Sequence, residues 1–179
     1  MIRLFFGLDL PGEIRMRIAG IARGIDGARW VAPEDLHITL HFIGEVPEPA
    51  MEEIAAEAAS IRFEPFAVTL AGAGHFERRG RVGAVWIGVE PESALSALRE
   101  RIEAAMVRAG QKPERRRFRP HVTVARLSRA RPGEVRDWLA ANTLFRAVPF
   151  AVETFVLFSS TLGRQGSTYT AECIFPVEG

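Results

Sequence analysis

The sequence feature that most constrains the fold is a four-residue pattern that occurs twice. His37-Ile38-Thr39-Leu40 and His121-Val122-Thr123-Val124 both read His-aliphatic-Thr-aliphatic, and nearly half of the 179-residue chain separates them. Alternate residues of a β-strand point to opposite faces of a sheet. Each copy therefore predicts a strand with a histidine and a threonine on one face and two aliphatic anchors on the other.

The rest of the chain alternates between segments with strand periodicity and segments with helix periodicity. Strands are predicted over residues 3–10, 36–43, 66–72, 82–89, 121–127, 150–158 and 167–175, with a charged turn at 77–81. Helices are predicted after Pro11 with Ile14, Ile18, Ile21 and Ile25 inward, after Pro49 with Met51, Ile54, Ala58 and Ile61 inward, from Glu92 to about Ala109, and from Pro132. Alternating half-buried strands favour antiparallel sheets with helices on one face, so the expected class is α+β.

The repeated pattern also predicts the domain organisation. A separation of nearly half the chain is too long for a solenoid repeat and suits two related lobes. We expect a single two-lobed domain over residues 1–179, with the sequence halves dividing near residues 88–92 and the chain ends free to cross between lobes.

Composition narrows the class of protein. Hydrophobic residues make up 47% of the chain and charged residues 25%, which is typical of a globular protein rather than a disordered one. The net charge of +1 is low for a protein that binds long nucleic acid by electrostatics alone, so local clusters must meet any anionic ligand. The N-terminal apolar run meets Asp9 and Pro11 before it reaches membrane-spanning length. The single cysteine, Cys173, cannot form an internal disulfide, which favours a reducing cytoplasm.

Two histidines on rigid strands can act as an acid–base pair. Imidazole titrates near pH 6.5, so one ring can accept a proton while the other donates one. The hydroxyls of Thr39 and Thr123 can donate hydrogen bonds to phosphoryl oxygens between the rings. A zinc site needs three or four close ligands, and these strands supply two histidines, so we expect no metal and no cofactor.

The segments RWVAPEDLHITLHFIGEV and RRFRPHVTVARL resemble the two signature regions of the two-histidine phosphoesterase superfamily. Within it they are most similar to the bacterial and archaeal RNA 2′,3′-cyclic phosphodiesterases, historically named 2′-5′ RNA ligases. The segments LFFGLDLP, VGAVWIGV and FVLFSSTL also fit, so the resemblance spans nearly the whole chain. It implies two pseudo-symmetric lobes, each an antiparallel β-sheet with helices on its outer face, and a central cleft with one motif per lobe.

The same resemblance implies metal-independent opening of a 2′,3′-cyclic phosphodiester at an RNA end, which leaves a 2′-phosphomonoester. By position, His37 would donate a proton to the 3′ oxygen and His121 would activate water, while the pseudo-symmetry leaves these two labels exchangeable. Thr39, Thr123 and Arg126 would hold the phosphate. The implied partners are RNA with cyclic phosphate ends or cyclic nucleotides, and we expect a monomer.

Further residues have two interpretations each. Arg126 follows His121 by five residues, so a regular strand would direct it to the opposite face, and only a twist, a bulge or its own length would bring it to the site. His41 shares the parity of His37, yet it is more typical of a surface residue at a strand end. The arginine clusters at 78–81 and 115–119 could contact an RNA backbone or be solvated. Phe118 could stack on a base or anchor the next strand.

Two alternatives to hydrolysis stay open at this point. A 2′-5′ RNA ligase would use the same acid–base pair in the reverse direction, joining a cyclic phosphate to a 5′-hydroxyl. A non-catalytic module that binds nucleotides or RNA ends would be indicated by loss of one motif histidine, and both are present.

Overall fold

The computed structural model describes residues 1–177, and within that range it has nine β-strands, four α-helices and a short 3-10 helix at Pro33–Asp35. The strands are β1 Ile2–Asp9, β2 Arg29–Trp30, β3 His37–Val46, β4 Phe66–Arg78, β5 Arg81–Glu90, β6 His121–Arg126, β7 Phe150–Val152, β8 Thr154–Gly163 and β9 Gly166–Pro176. The helices are α1 Gly12–Ala19, α2 Ala50–Ala59, α3 Glu92–Arg108 and α4 Pro132–Asn142.

The strands form one antiparallel sheet in the order β7-β4-β5-β6-β3-β1-β8-β9, and β2 pairs with β6. At its centre, the described parts of β3 and β6 are joined by a single pair, Ile38 with Val122. This junction divides the sheet into β7-β4-β5-β6 with β2 on one side and β3-β1-β8-β9 on the other. The predicted α+β class with antiparallel strands is confirmed, and the two predicted lobes share one sheet.

The helices cover one face of this sheet. Helix α3 contacts β3, α2 contacts α3 and β9, and α4 contacts β4 and β5. The indole Nε1 of Trp138 on α4 donates a hydrogen bond of 2.9 Å to the carbonyl of Ile21, which ties the segment after α1 to α4. The main hydrophobic core lies between the helices and the sheet, and both Ile38 and Val122 are fully buried in it. The opposite face of the sheet, called the cleft face below, is therefore the one that remains for a ligand.

Two predicted helices are shorter than their apolar spacing indicates. Helix α1 ends at Ala19, so Ile21 and Ile25 lie in the next segment, where Gly24 and Gly27 have φ of 94° and 70°. A positive φ cannot continue a right-handed helix, so no helix can extend from α1 through Gly24 to Ile25. Both isoleucines still pack on the core from this segment. Helix α2 likewise ends at Ala59, before the buried Ile61.

The strands after α2 differ more from the prediction. Strand β4 extends to Arg78, and the turn to β5 contains only Arg79 and Gly80, so the charged segment is mostly strand. The predicted strand at 150–158 is two strands, because β7 pairs with β4 whereas β8 pairs with β1. Strand β2 was not predicted. No helix within residues 1–177 is long and apolar enough to cross a membrane.

Candidate active site

The central pair of the sheet brings the two sequence motifs together. Because the side chains of Ile38 and Val122 point into the core, the residues that flank them point to the cleft face. The side chains of His37, Thr39, His121 and Thr123 all line one cleft of about 650 Å³. In a regular antiparallel ladder, diagonal neighbours of such a pair lie about 7–8 Å apart, which leaves room for a phosphate group between the two imidazoles.

Each imidazole is held by the backbone of the residue two positions before it. The Nδ1 atom of His37 lies 2.7 Å from the carbonyl oxygen of Asp35, and that of His121 lies 2.6 Å from the carbonyl oxygen of Arg119. A carbonyl oxygen can only accept, so Nδ1 carries the hydrogen in both rings. The Nε2 atom of each ring is then the nitrogen that can exchange a proton with a ligand.

The turn before His37 is held in place by Arg15 on α1. Its guanidinium donates hydrogen bonds to the Asp9 carboxylate and to the carbonyl of Pro33, and its Nε donates to the carbonyl of Leu10 at 2.9 Å. Pro33 begins the 3-10 turn that ends at Asp35. Arg15 therefore fixes the carbonyl that orients the His37 ring.

Aromatic side chains surround His37. Its ring centroid lies 4.9 Å from that of Phe5, 4.7 Å from that of Tyr169 and 6.0 Å from that of Phe158. Phe5 and Phe158 belong to a small second core on the cleft face, against which Phe42 and Tyr169 pack. This aromatic cluster was not predicted from the sequence, although alternation in the segment LFFGLDL places Phe5 on the face opposite the buried Phe6.

His121 also has aromatic neighbours. The ring of Phe76 meets that of His121 edge-on at 4.8 Å, and Trp86 lies 5.8 Å from the same ring. Trp86 lies across Gly74, where a Cβ atom would come within 2.3 Å of the indole. Glycine at position 74 thus allows the indole to support both Phe76 and His121.

Burial favours the neutral form of both histidines. It lowers the pKa of His37 from its ordinary value to about 4, against the opposing effect of the Asp35 carbonyl, and the charges of His121, Arg126 and Arg15 lower it further. Burial also lowers the pKa of His121, and the charges of Arg126 and Arg119 act in the same direction. An anion bound between the rings would raise both pKa values, because it favours the charged form of imidazole.

A β-bulge at the fourth residue of each motif changes which residues face the cleft. In β6, Thr123 pairs with Trp86 and Ala125 with Val85, so Val124 is the extra residue. In β3, Thr39 pairs with Gly7 and His41 with Phe6, so Leu40 is the extra residue. A bulge reverses the alternation of the strand beyond it. The fifth residue after each histidine therefore turns to the cleft face.

That bulge decides where Arg126 lies. Arg126 lines the cleft, and its charge lowers the pKa of both motif histidines, so it is close to both rings. Within residues 1–177 no carboxylate forms an ion pair with it. In the other lobe the corresponding residue is Phe42, whose ring lies 5.0 Å from the Arg3 guanidinium. The two equivalent positions thus hold an arginine in one lobe and, in the other, a phenylalanine with the Arg3 and Arg116 guanidiniums against its ring.

His41 lies just beyond the same bulge, and although it is among the residues that line the cleft, its side chain is buried. His41 is only 2% exposed, and neither ring nitrogen has a hydrogen-bond partner. Its counterpart in β6 is the buried Ala125, which explains why this position faces the core. The interpretation of His41 as a surface residue is wrong. Phe118 packs against the core with the Arg99 guanidinium 5.3 Å from its ring, and it is also among the residues that line the cleft. Base stacking on Phe118 stays a prediction.

The cleft is positively charged overall. Six arginines and two carboxylates, those of Asp35 and Glu114, are among the residues that line it. Glu114 is already engaged, because its carboxylate accepts three hydrogen bonds from the backbone and guanidinium of Arg116. Such a surface favours an anionic ligand. Among residues 1–177, no three side chains of His, Cys, Asp or Glu are grouped so that they could hold a metal ion.

Comparisons with known proteins agree with this geometry. A family model described as the 2′-5′ RNA ligase superfamily matches residues 10–164. The chain is 33% identical over 171 residues to the RNA 2′,3′-cyclic phosphodiesterase of Archaeoglobus fulgidus, a match that covers 94% of this chain and 96% of that protein. It is also 33% identical over 177 residues to the Escherichia coli protein of the same name, covering 94% of this chain and 92% of the other.

Solved structures extend the likeness to the whole fold. The crystal structure of E. coli LigT complexed with 3′-AMP superposes with a TM-score of 0.80 at 31% identity and covers 99% of both chains. The crystal structure of TT0787 from Thermus thermophilus gives a TM-score of 0.81 at 27% identity, with 99% of this chain covered and 98% of the other. The resemblance seen in the sequence is therefore confirmed, and the chain belongs to the 2′-5′ RNA ligase superfamily.

Proposed function

We propose that this protein hydrolyses the 2′,3′-cyclic phosphodiester at RNA ends to a 2′-phosphomonoester, without a metal ion. The observation that carries the proposal is the matched anchoring of His37 and His121, each by a carbonyl on Nδ1, on strands that meet at one buried pair. This arrangement leaves two Nε2 atoms at one cleft, one to take a proton and one to give a proton. The names of the relatives supply the substrate class.

The proposed reaction needs only these two proton transfers. Nε2 of His121 accepts a proton from water, and the water oxygen forms a bond to phosphorus. The bond between phosphorus and the 3′ oxygen breaks, and the Nε2–H of His37 gives its proton to that oxygen. His121 ends protonated and His37 neutral, so proton exchange with solvent restores the starting state. Thr39, Thr123 and Arg126 bind the non-bridging oxygens, whose negative charge grows in the transition state.

The substrate itself supplies the charge that this cycle requires. Burial keeps the pKa of both histidines below the ordinary value in the ligand-free protein, and that of His37 near 4. A phosphodiester anion between the rings favours imidazolium, and so His37 gains its proton together with the substrate. We further propose that the protein acts as a monomer in the cytoplasm, because one chain supplies the whole site and holds a single cysteine.

The first test is hydrolysis of a 2′,3′-cyclic mononucleotide in the presence of EDTA, with the product compared with authentic 2′- and 3′-monophosphates. We expect turnover and the 2′-phosphate alone. No turnover, a 3′-phosphate product or loss of activity in EDTA would each overturn the proposal. Addition of an oligonucleotide with a 5′-hydroxyl tests for the ligase reaction, in which a 2′-5′ linked product would accumulate instead.

The acid and base roles need a separate test, because the two lobes are nearly symmetric. In a substrate with sulfur in place of the bridging 3′ oxygen, the leaving group is a thiolate, which departs with little help from a general acid. We expect this substrate to restore the rate of His37→Ala but not that of His121→Ala. Rescue of His121→Ala alone would reverse the two roles.

A further inference from the structure

The hairpin formed by β4 and β5 ends in three arginines. Arg78, Arg79 and Arg81 are all exposed, and within residues 1–177 none of them forms an ion pair with a carboxylate. The strands run up to this tip, and Arg79 and Gly80 form the turn with φ of 53° and 74°. Arg78 and Arg81 therefore lie on two paired strands, and Arg79 lies in the turn between them.

The strand register places two of these arginines on the cleft face. Gly74 pairs with Trp86, Phe76 with Ala84 and Arg78 with Arg81. Directly paired residues share a face, and alternate residues along β4 return to it. On β5 the register shifts by one residue at Gly83, so Arg81 rather than Val82 lies on the face of Ala84 and Trp86. Because Trp86 and Phe76 contact His121, Arg78 and Arg81 lie on the same face as that histidine.

The same register connects the hairpin tip with the catalytic cleft. Ala84 pairs with Arg126 on β6, and Arg126 pairs with Arg29 on β2. One row across the sheet therefore reads Phe76, Ala84, Arg126, Arg29, and the next row outward holds Arg78 and Arg81. We call Arg29, Arg78 and Arg81 the basic track. The basic track leads outward from Arg126, which belongs to the cleft. Arg78 lies two residues along β4 from Phe76, the aromatic neighbour of His121, a distance of about 7 Å.

Within the described part of the chain, no carboxylate forms an ion pair with the arginines of the basic track. Like charges directly opposite each other across two strands are destabilising, and Arg78 faces Arg81 in this way. A row of phosphates would offset this repulsion, since arginine is well suited to binding phosphate. Two of the four arginines in the second cluster have other contacts, because Arg116 is paired with Glu114 and Arg119 lies 5.9 Å from the Trp86 ring.

We propose that the basic track binds the phosphate backbone of the RNA strand on the 5′ side of the reacting end. The inference rests on the proposed function, since that function places the cyclic phosphate between His37 and His121. The terminal nucleotide then occupies the cleft, and the preceding phosphates follow the cleft face past Phe76 to Arg78 and Arg81. Phe76, which is 38% exposed beside His121, offers a ring on which a base can stack.

The test uses two double variants that remove the same charge. Arg78→Ser/Arg81→Ser removes the outer end of the basic track, whereas Arg23→Ser/Arg136→Ser removes two exposed arginines on the helix-covered side. Each protein is assayed for hydrolysis of a cyclic mononucleotide, which is too short to reach the track. Each is then titrated with a short fluorescent oligoribonucleotide ending in a 3′-phosphate, over a series of salt concentrations.

We expect Arg78→Ser/Arg81→Ser to hydrolyse the mononucleotide at the wild-type rate and to bind the oligonucleotide on the order of tenfold more weakly at low salt. The slope of log Kd against log salt concentration should fall by about 1.4, which corresponds to two lost phosphate contacts on a single strand. The variant Arg23→Ser/Arg136→Ser should match the wild type in both assays. Unchanged oligonucleotide affinity in the track variant, or equal weakening in both variants, would overturn the inference.

These outcomes are separate from a failure of the proposed function. If the wild type hydrolyses no cyclic nucleotide, the proposed reaction is wrong, whatever the oligonucleotide titration gives. If the wild type hydrolyses the mononucleotide and the track variant loses mononucleotide activity as well, the arginines act on the site itself and the track is wrong.

Discussion

Ile38 and Val122 lie directly opposite each other across β3 and β6, both fully buried, and this pair joins the two halves of the sheet. Each residue directly follows a motif histidine. The distance and orientation between the two imidazoles therefore depend on the packing of two aliphatic side chains on the far side of the sheet. Packing in the hydrophobic core, rather than the conformation of loops, therefore positions the two histidines.

Truncation of this pair should affect activity as well as stability. Ile38→Ala should lower the free energy of unfolding by about 2–5 kcal/mol, as expected for a buried isoleucine. Ile54→Ala, at an equally buried position in α2, should cost a similar amount. At a temperature where both variants are folded, only Ile38→Ala should show a reduced kcat. Equal loss of kcat in the two variants would mean that the pair has no special role in positioning the histidines.

Arg126 should act on the protonation of both histidines. Its charge lowers the pKa of His37 and of His121, so Arg126→Ala should raise both pKa values in an NMR titration. Arg119→Ala is the matched control, because the charge of Arg119 lowers the pKa of His121 but not that of His37. We also expect Arg126→Ala to lower kcat/KM by about ten- to a hundredfold through lost hydrogen bonds to a charged group. Unshifted histidines and wild-type kinetics would remove Arg126 from the site.

Gly74 should be intolerant of a side chain for a local steric reason. A Cβ atom at this position would lie 2.3 Å from the Trp86 indole, whereas one at Gly83 on the neighbouring strand would meet nothing within 4 Å. Gly74→Ala should therefore displace the indole, cost about 1–3 kcal/mol of stability and lower activity through His121. Gly83→Ala should leave activity unchanged. Tryptophan fluorescence and kcat of the two variants check this, and an active Gly74→Ala would contradict it.

His41 should make the protein sensitive to acid. Burial lowers its pKa from 6.5, while Arg99, Glu103, Glu114 and Arg116 surround it with charges of both signs. The unfolded chain then binds the proton more tightly than the folded protein, so stability falls as the pH drops below about 6.5. His41→Leu should stabilise the protein by about 1–3 kcal/mol, since two buried nitrogens lack partners.

The pH dependence of unfolding distinguishes this effect from a general gain in packing. The loss of stability between neutral and acidic pH should be smaller in His41→Leu than in the wild type. His75→Gln, which removes an exposed histidine, serves as the reference for the loss of a histidine elsewhere on the protein. Identical pH dependence in all three proteins would show that His41 does not titrate on unfolding.

The sequence predicted the residues that meet at the site because strand alternation is a local property. The spacing of His37 and Thr39 already determines that they share a face, and the second copy made the pair recognisable. The bulges at Leu40 and Val124 could not be predicted in this way, since they arise from pairing with β1 and β5. For the same reason the sequence left the position of Arg126 open.

The errors in the predicted secondary structure also have physical causes. The apolar spacing of Ile14, Ile18, Ile21 and Ile25 fits one helix, yet the last two reach the core from an irregular segment. A turn was predicted for the charged residues near Arg78 because they lack apolar alternation. A strand that extends beyond the core needs no apolar side chains. Aromatic neighbours of the histidines, such as Tyr169, come from distant strands and became visible only in the fold.

The most direct test of the acid–base pair is the rate of cyclic mononucleotide hydrolysis by His37→Ala, by His121→Ala and by the double variant, all in EDTA. We expect each single variant to lose about 10²–10⁴-fold in kcat, as for removal of a general acid or base. The double variant should lose little more, because the two groups act as a unit. Circular dichroism spectra matching that of the wild type would confirm that the variants are folded. Activity that survives either substitution in a folded protein would contradict the account.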